Sequence, residues 1–596
     1  MKKLVAGVAA VAVGVAFAGD ITWSGAIDGD LSKPGNWGVE TLSGGDAATI
    51  NLNGQTFTLG SDVSFGTLTL SQTTATFDFS ADPKRVISFT TTKATGDGKY
   101  FGFLPNVAGS TLSFIGGVWR GADGSKASFN AANNARDGKG SAVFSGTTVT
   151  NFNYFYWGEH SWDQTVLAKD GSVIHANTIQ NYATGGRNAL EVTGGSQLIA
   201  STELYSDKVG NLTSKTGYNR ILIHGEGTGA TVGQVNLGNV HWNNEIVVSN
   251  GASFTSSAMV LGTGENLFRA TNAVIRLSGT TKVSGVSNRI EIVDSELTVN
   301  GSFVMSEGSF GRVSFRECPG TISLGSDSLG CSPAGSDNRY CFGRGTLVSS
   351  KGVLFDTDGT ELNLYGEGAT GGVFSCEFKT AIGQNNNNCI LRISDGLRYQ
   401  NLTQTFYVGG KDLGGSGVDN TIYVGSDATM DLVRLRFCNY GNRVVVDDGT
   451  LRVVDGVSFA YYLNPSYAAC SNTVVFAGAH PKLVTTKAHT LTTDGWLEFN
   501  VPNSGYVSAP YAVENGLTVS DGSRVIVKAD VAAIAEAHGG DSAMIPLVSA
   551  NPLTVSSGVL DAMTAAFGQK GARFVARDNT LYLRTASTQG LVILLR

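Results

Sequence analysis

Asn288-Arg-Ile-Glu-Ile-Val-Asp294, followed by Ser295-Glu-Leu-Thr-Val-Asn-Gly301, decides how this chain is read. It is a short strand, a tight turn, a second short strand and another turn. A close copy stands at Asn442-Arg-Val-Val-Val-Asp-Asp-Gly449, followed by Thr450-Leu-Arg-Val-Val-Asp-Gly456. Looser copies open at Asn219, Asn244, Asn388, Asn420 and Asn472. The spacing is 25 residues from Asn219 to Asn244, 22 from Asn420 to Asn442 and 32 from Asn388 to Asn420. A drifting period built from strands points to a solenoid that tolerates insertions. Period-2 alternation sends Ile290 and Ile292 inward, and likewise Val444 and Val446, with Glu291 outward. The leading Asn suits a turn, because its amide bonds nearby backbone and it tolerates left-handed geometry. Stacked on its equivalents, it would also form an amide ladder.

The rest of the composition agrees. The chain has 596 residues with 78 Gly, 11 Pro and 15% charged residues. Gly, Ser, Thr and Asn fill the space between short apolar triplets, which excludes a helical bundle. The formal net charge is -7 and no basic tract exists, so nucleic acid and anionic membranes are not expected partners. Lys2 and Lys3, the apolar run Leu4 to Val15, and Ala16-Phe17-Ala18 read as a signal peptide over 1–18, with the mature chain beginning at Gly19. No later stretch is long or apolar enough to span a membrane as a helix.

After that segment come Trp23-Ser-Gly25, then Asn36-Trp37, then Asp46-Ala-Ala48. This W-x-G … N-W … D-x-A order resembles the start of bacterial surface proteins of the autotransporter-passenger type, with passenger-associated β-strand repeats. The match covers Ile21 to Leu70, and the Gly/Thr/Asn-rich texture covers most of the remainder. The resemblance implies a right-handed parallel β-helix, secreted or held at the cell surface of a Gram-negative bacterium. Trp23 and Trp37 would close the open end of the stack. The chain departs from that family at its end, Gly590-Leu-Val-Ile-Leu-Leu-Arg596, because the last hundred residues hold too few long alternating strands for a translocator barrel.

The domain reading is therefore a signal peptide (1–18), an N-terminal cap with the first rungs (19–70), a single-stranded parallel β-helix (71–489) and a small α+β C-terminal cap (490–596). Within that cap, Ala529 to Ala537 and Gly558 to Phe567 read as helices. Arg573 to Ala576 and Thr580 to Leu583 read as a hairpin around Asp578-Asn579. Seven cysteines lie between Cys318 and Cys470. Cys331 and Cys341 are placed to close one loop, while the alternative is buried thiol packing as a small apolar filler.

Chemistry is sparse. Asp294, Asp447, Asp448 and Asp455 recur at strand ends, accompanied by Arg289, Arg392, Arg443 and Arg452. A polysaccharide-acting β-helix needs such groups converging from neighbouring rungs, yet a turn also wants Asp there. Asn153 to Trp162 is the most aromatic patch, suited either to stacking on sugar rings or to packing within a few rungs. Gly414-Gly-Ser-Gly-Val-Asp419 resembles one calcium nonapeptide, which needs tandem copies to hold an ion. No catalytic, cofactor-binding or metal residue is assigned and no cofactor is called for. The expected function is structural or adhesive, with glycans or cell-surface components as partners. The alternative is a polysaccharide lyase or glycoside hydrolase.

Overall fold

The computed structural model describes residues 18–586, apart from 72, 91–100, 106–108, 123–125, 132–139, 160–162, 183–186, 207–217, 239–242, 285–286, 306–311, 319–320, 325–328, 332–338, 351–352, 356–357, 370, 378–379, 411–414, 463–470 and 494. The signal segment up to Phe17, the His160–Trp162 end of the aromatic patch, Gly414, Cys470 and the terminal Gly590–Arg596 run lie outside these residues. The chain forms two compact units, Met1–Ser253 and Phe254–Arg596. Each is a parallel β-helix.

The Asn288 stretch forms the strands Arg289–Val293 and Glu296–Val299. Ile290 and Ile292 are buried, whereas Arg289 is exposed and Glu291 half-buried. Arg289–Val293 pairs in parallel on both sides: Ile292 stands against Ala270 of one neighbouring rung and Phe315 of the other. The Asn442 copy behaves identically, with strands Arg443–Asp447 and Thr450–Val453 and with Val444 and Val446 fully buried.

Two recurring corners index the rungs. At the first, a residue in the left-handed region precedes a buried amide: Arg187 before Asn188, Asn243 before Asn244, Ser287 before Asn288, Asp419 before Asn420 and Gly441 before Asn442. The amides then bond from rung to rung. In the first unit, Asn188 N donates to Asn219 Oδ1 (3.2 Å) and Asn219 Nδ2 to Asn244 Oδ1 (3.3 Å). In the second, both Asn266 N and its Nδ2 donate to Asn288 Oδ1 (2.8 and 2.9 Å), Asn420 N to Asn442 Oδ1 (3.0 Å) and Asn442 N to Asn472 Oδ1 (3.0 Å). The amide ladder is therefore real, and the left-handed geometry belongs to the residue before it. The rung read as opening at Asn388 is off by one. Asn388 has φ 56°, and Cys389 holds the ladder position, donating its N–H to Asn420 Oδ1 (2.9 Å).

At the second corner the left-handed residue precedes a small one: Gly146 before Thr147, Gly171 before Ser172, Gly195 before Ser196, Asp294 before Ser295 and Glu317 before Cys318. Here the hydroxyls bond along the stack, Thr147 N to Ser172 Oγ (3.1 Å) and Ser172 N to Ser196 Oγ (3.0 Å).

The first unit begins with its closure. Trp23 and Trp37 are buried and meet edge-to-face at 4.9 Å; Trp23 packs on Phe57 and Trp37 on Phe65. Asn36 Oδ1 accepts from Ile27 N and Asp28 N, Trp37 Nε1 donates to Leu31 O, and Asp46 accepts from Gly19 N and Ser43 N. Every polar residue of the W-x-G … N-W … D-x-A pattern thus ties down a loop at the first rungs. Above it runs an aromatic column, Phe57, Phe77, Phe114 and Phe144, with stacked rings 5.2, 5.3 and 4.6 Å apart. Phe152, Phe155 and Trp157 are also core, so the aromatic patch mostly packs between rungs.

In the second unit the parallel ladder continues beyond the expected change of texture at 490. Gly495–Asn500 pairs with Arg524–Lys528, and Leu517–Val519 with Leu553–Val555, all parallel. Antiparallel pairing starts where Met544–Ala550 meets Thr580–Thr585, which forms the hairpin with Ala572–Arg577 around Asp578 (φ 49°) and Asn579 (φ 60°). The two helices are Val531–Ala537, capped by Asp530, and Ser557–Phe567, capped by Ser556 and stopped by Gly568 at φ 67°.

The loop-closing disulfide is overturned. Cys341 is a buried, free thiol whose Sγ lies 3.8 Å from Gly366 O, and Cys318 is likewise free and buried in the hydroxyl row. Cys318 sits at the second corner against Ile292 O and Arg316 O, whereas Cys341 stands in the outward row between Ser314 and Tyr365 and is nonetheless covered. The side chains of Cys331 and Cys470 lie outside the described residues.

Candidate functional site on the outward face of the second unit

The strands Leu267–Thr271, Arg289–Val293, Arg312–Arg316, Arg339–Phe342, Glu361–Tyr365, Ile390–Ser394, Thr421–Val424 and Arg443–Asp447 stack in register along one ladder of this unit. Alternation sends every second residue outward. Register then sorts the outward positions into rows. One row reads Arg289, Arg312, Arg339, Asn363, Arg392, Tyr423, and ends at the buried Leu267. Its neighbour carries Glu361, Ile390, Thr421 and Arg443.

A shallow depression of about 500 Å³ opens on these rows, lined by Arg339, Glu361, Asn363, Tyr365, Arg392, Ser394, Asp395 and Tyr423. Arg392 is its centre. Its Nε donates to Glu361 Oε1 (2.7 Å), and its guanidinium lies 5.1 Å from the Tyr423 ring centroid. The Tyr423 hydroxyl donates to Asp447 Oδ2. Burial, then the neighbouring Asp447 carboxylate, pushes the Tyr423 phenol up to about 12, so it stays protonated and remains a donor.

Of the residues singled out by sequence, Arg289 and Arg392 fall in one row, and Asp447 joins Arg392 through Tyr423. The others disperse. Asp294 and Asp448 are left-handed corner residues with φ 48° and 54°. Asp455 lies on a different ladder, between Arg434 (2.6 Å) and Lys487 (2.7 Å), whose hydrogen bonds hold its carboxyl below the usual range. Arg452 faces Asp431 at 3.4 Å, and Arg443 lies 4.0 Å from Glu498. Asp419 is the left-handed residue before Asn420, which gives the calcium-like run a corner role. Arg339, Asn363, Tyr365 and Tyr423 were not singled out. Counting positions from each ladder residue would have aligned only some of them, because Arg289 follows Asn288 by one residue while Arg392 follows Cys389 by three, the register having shifted where Arg339 pairs with Asn363.

Among the described residues no group of three or more His, Cys, Asp or Glu is arranged to hold a metal ion. Nor is any helix among them long and apolar enough to cross a membrane. No protein-family model, no curated protein and no solved structure matches this chain.

Proposed function

We propose that this chain is an exported β-helix that binds glycans or cell-surface components along its lateral face without turning them over. The observation that carries this reading is the open depression around Arg392. Its arginines, amide and tyrosines face outward, while Glu361 and Asp447 are each engaged by a neighbouring side chain. Arginine and amide donors match sugar hydroxyls and carboxyls, and a tyrosine face stacks on a pyranose ring. Enclosed sites favour catalysis by excluding water, whereas an open lateral groove suits many weak contacts.

Export is supported by the Lys2–Ala18 pattern and by the resemblance of Ile21–Leu70 to passenger proteins. The expected mature N-terminus is Gly19, checked by N-terminal sequencing of protein from its host; a sequence starting at Met1 rules that processing out.

One observation favours a second reading, a polysaccharide lyase or glycoside hydrolase. Glu361, Arg392, Tyr423 and Asp447 converge from four rungs of one sheet. Purified chain incubated with neutral and acidic polysaccharides separates the two. Retention on a glycan surface without new reducing ends or unsaturated-sugar absorbance is the result expected here. Turnover abolished by Asp447→Asn would establish the enzyme.

A further inference from the structure

We infer that the ligand of this face is an acidic polysaccharide, read by Arg289, Arg339 and Arg392, which fall in one register row of the sheet. This inference rests on the binding reading above and names its substrate class.

The row is unusual for a protein of net charge -7. Arg289, Arg312 and Arg339 occupy directly opposed positions on three successive rungs, and Arg392 follows after Asn363. Like charges placed directly opposite each other in a sheet repel, and here acids outside the row offset that repulsion. No acidic residue stands in it; Glu291 and Glu361 reach Arg289 and Arg392 from adjoining positions. The Arg289 and Arg392 side chains remain 51% and 42% exposed, which leaves donors facing solvent.

The spacing fits a repeating anion. Parallel rungs advance by about 4.8 Å, comparable to the advance per sugar ring in an extended glycan. A polyuronate carries one carboxylate per ring and therefore offers acceptors at the rhythm of the rungs, so that those rungs that carry an arginine each meet one. Guanidinium pairs with carboxylate in a two-pronged geometry that a lysine ammonium does not reproduce. Tyr365 and Tyr423 border the same depression and supply faces for the rings between. Nucleic acid fits less well, because its phosphates are accompanied by bases that need broad exposed aromatic platforms.

The test measures binding of the full mature chain to immobilised polygalacturonate, dextran sulfate, dextran and single-stranded DNA, each at low and high salt. Polygalacturonate is expected to bind most tightly and to weaken with salt. The Arg289→Gln/Arg339→Gln/Arg392→Gln variant is expected to bind it at least about tenfold less tightly. The corresponding triple Lys variant should recover only part of the loss. Arg577→Gln, on the C-terminal hairpin, should bind as the parent does. Circular dichroism reports whether the triple variant folds, and single Arg289→Gln and Arg392→Gln changes carry the test if it does not. Dextran bound as well as polygalacturonate, or polygalacturonate binding unchanged in these variants, overturns the acidic assignment and leaves the glycan-binding reading standing. Equal binding of DNA overturns the saccharide assignment. Stronger binding of dextran sulfate than polygalacturonate replaces carboxylate with sulfate and overturns the polyuronate fit. Binding to no polysaccharide defeats both readings.

Discussion

Asn442 illustrates how much one side chain does in this fold. Its Oδ1 accepts from both the backbone N–H and the amide of Asn420, while its Nδ2 donates to Cys438 O. Asn442→Ala removes these partners inside a sealed corner, and stranded buried polar groups are expensive. A loss of about 2–3 kcal/mol is expected in urea denaturation, against a near-neutral effect for an exposed outward change such as Thr298→Ser. Ile292 and Glu291 give a second contrast. Ile292→Asp places an unpaired carboxylate among Ala270 and Phe315, and several kcal/mol of destabilisation are expected. Sequence alternation alone makes Glu291→Lys silent. The structure corrects that: Glu291 pairs with Arg269 (2.9 Å) and Arg289 (3.5 Å), so a lysine would face two arginines. A small loss of about 0.5–1 kcal/mol, relieved by salt, is expected for Glu291→Lys. At this scale the sequence displayed which residues recur. It did not display which of two adjacent residues carries the left-handed backbone, and at this corner that residue is Asn388, which leaves Cys389 in the ladder.

At the scale of the element, strands were readable because inward positions keep a strict two-residue rhythm that apolar side chains mark. Corners were readable as turns, yet their acids were open to two meanings. Asp294 settles one case: φ 48° at an exposed corner is backbone work, and only Gly or a short polar residue takes it without strain. Asp294→Gly is therefore expected to leave the thermal midpoint close to the parent's. Asp294→Val should destabilise by about 1–2 kcal/mol. Equal midpoints for the two would show that this corner does not need left-handed geometry. Rows on the outward face were not readable. They depend on register between rungs, and the hydrogen-bonded corner amides lie 22 residues apart in one place and 31 in another. The depression around Arg392 needed coordinates for the same reason.

For the molecule as a whole, a buried histidine makes stability depend on pH. His489 packs against Phe459 and Tyr511, and its Nε2 is sealed from solvent with no hydrogen-bond partner. Burial holds its pKa below the ordinary 6.5. The unfolded chain therefore takes up a proton that the folded chain refuses, and stability falls as pH drops from 6.5 toward the folded-state value. Parent protein is expected to lose more stability between pH 7 and pH 5 than His489→Phe, as followed by thermal melting. Parallel profiles would show that this imidazole is already charged in the fold. Composition alone had excluded a helical bundle and pointed to stacked strands, because glycine and small polar residues leave room for little else. It held no record of a ligand. The corner amides carry a last consequence. Each coil sets its own phase from the amide of the next, so an insertion in one loop is absorbed locally and never propagates. A gene encoding such a chain can gain or lose whole coils by duplication or deletion while the cross-section stays fixed. Length is then the property free to vary between lineages, and with it the number of positions in each outward row.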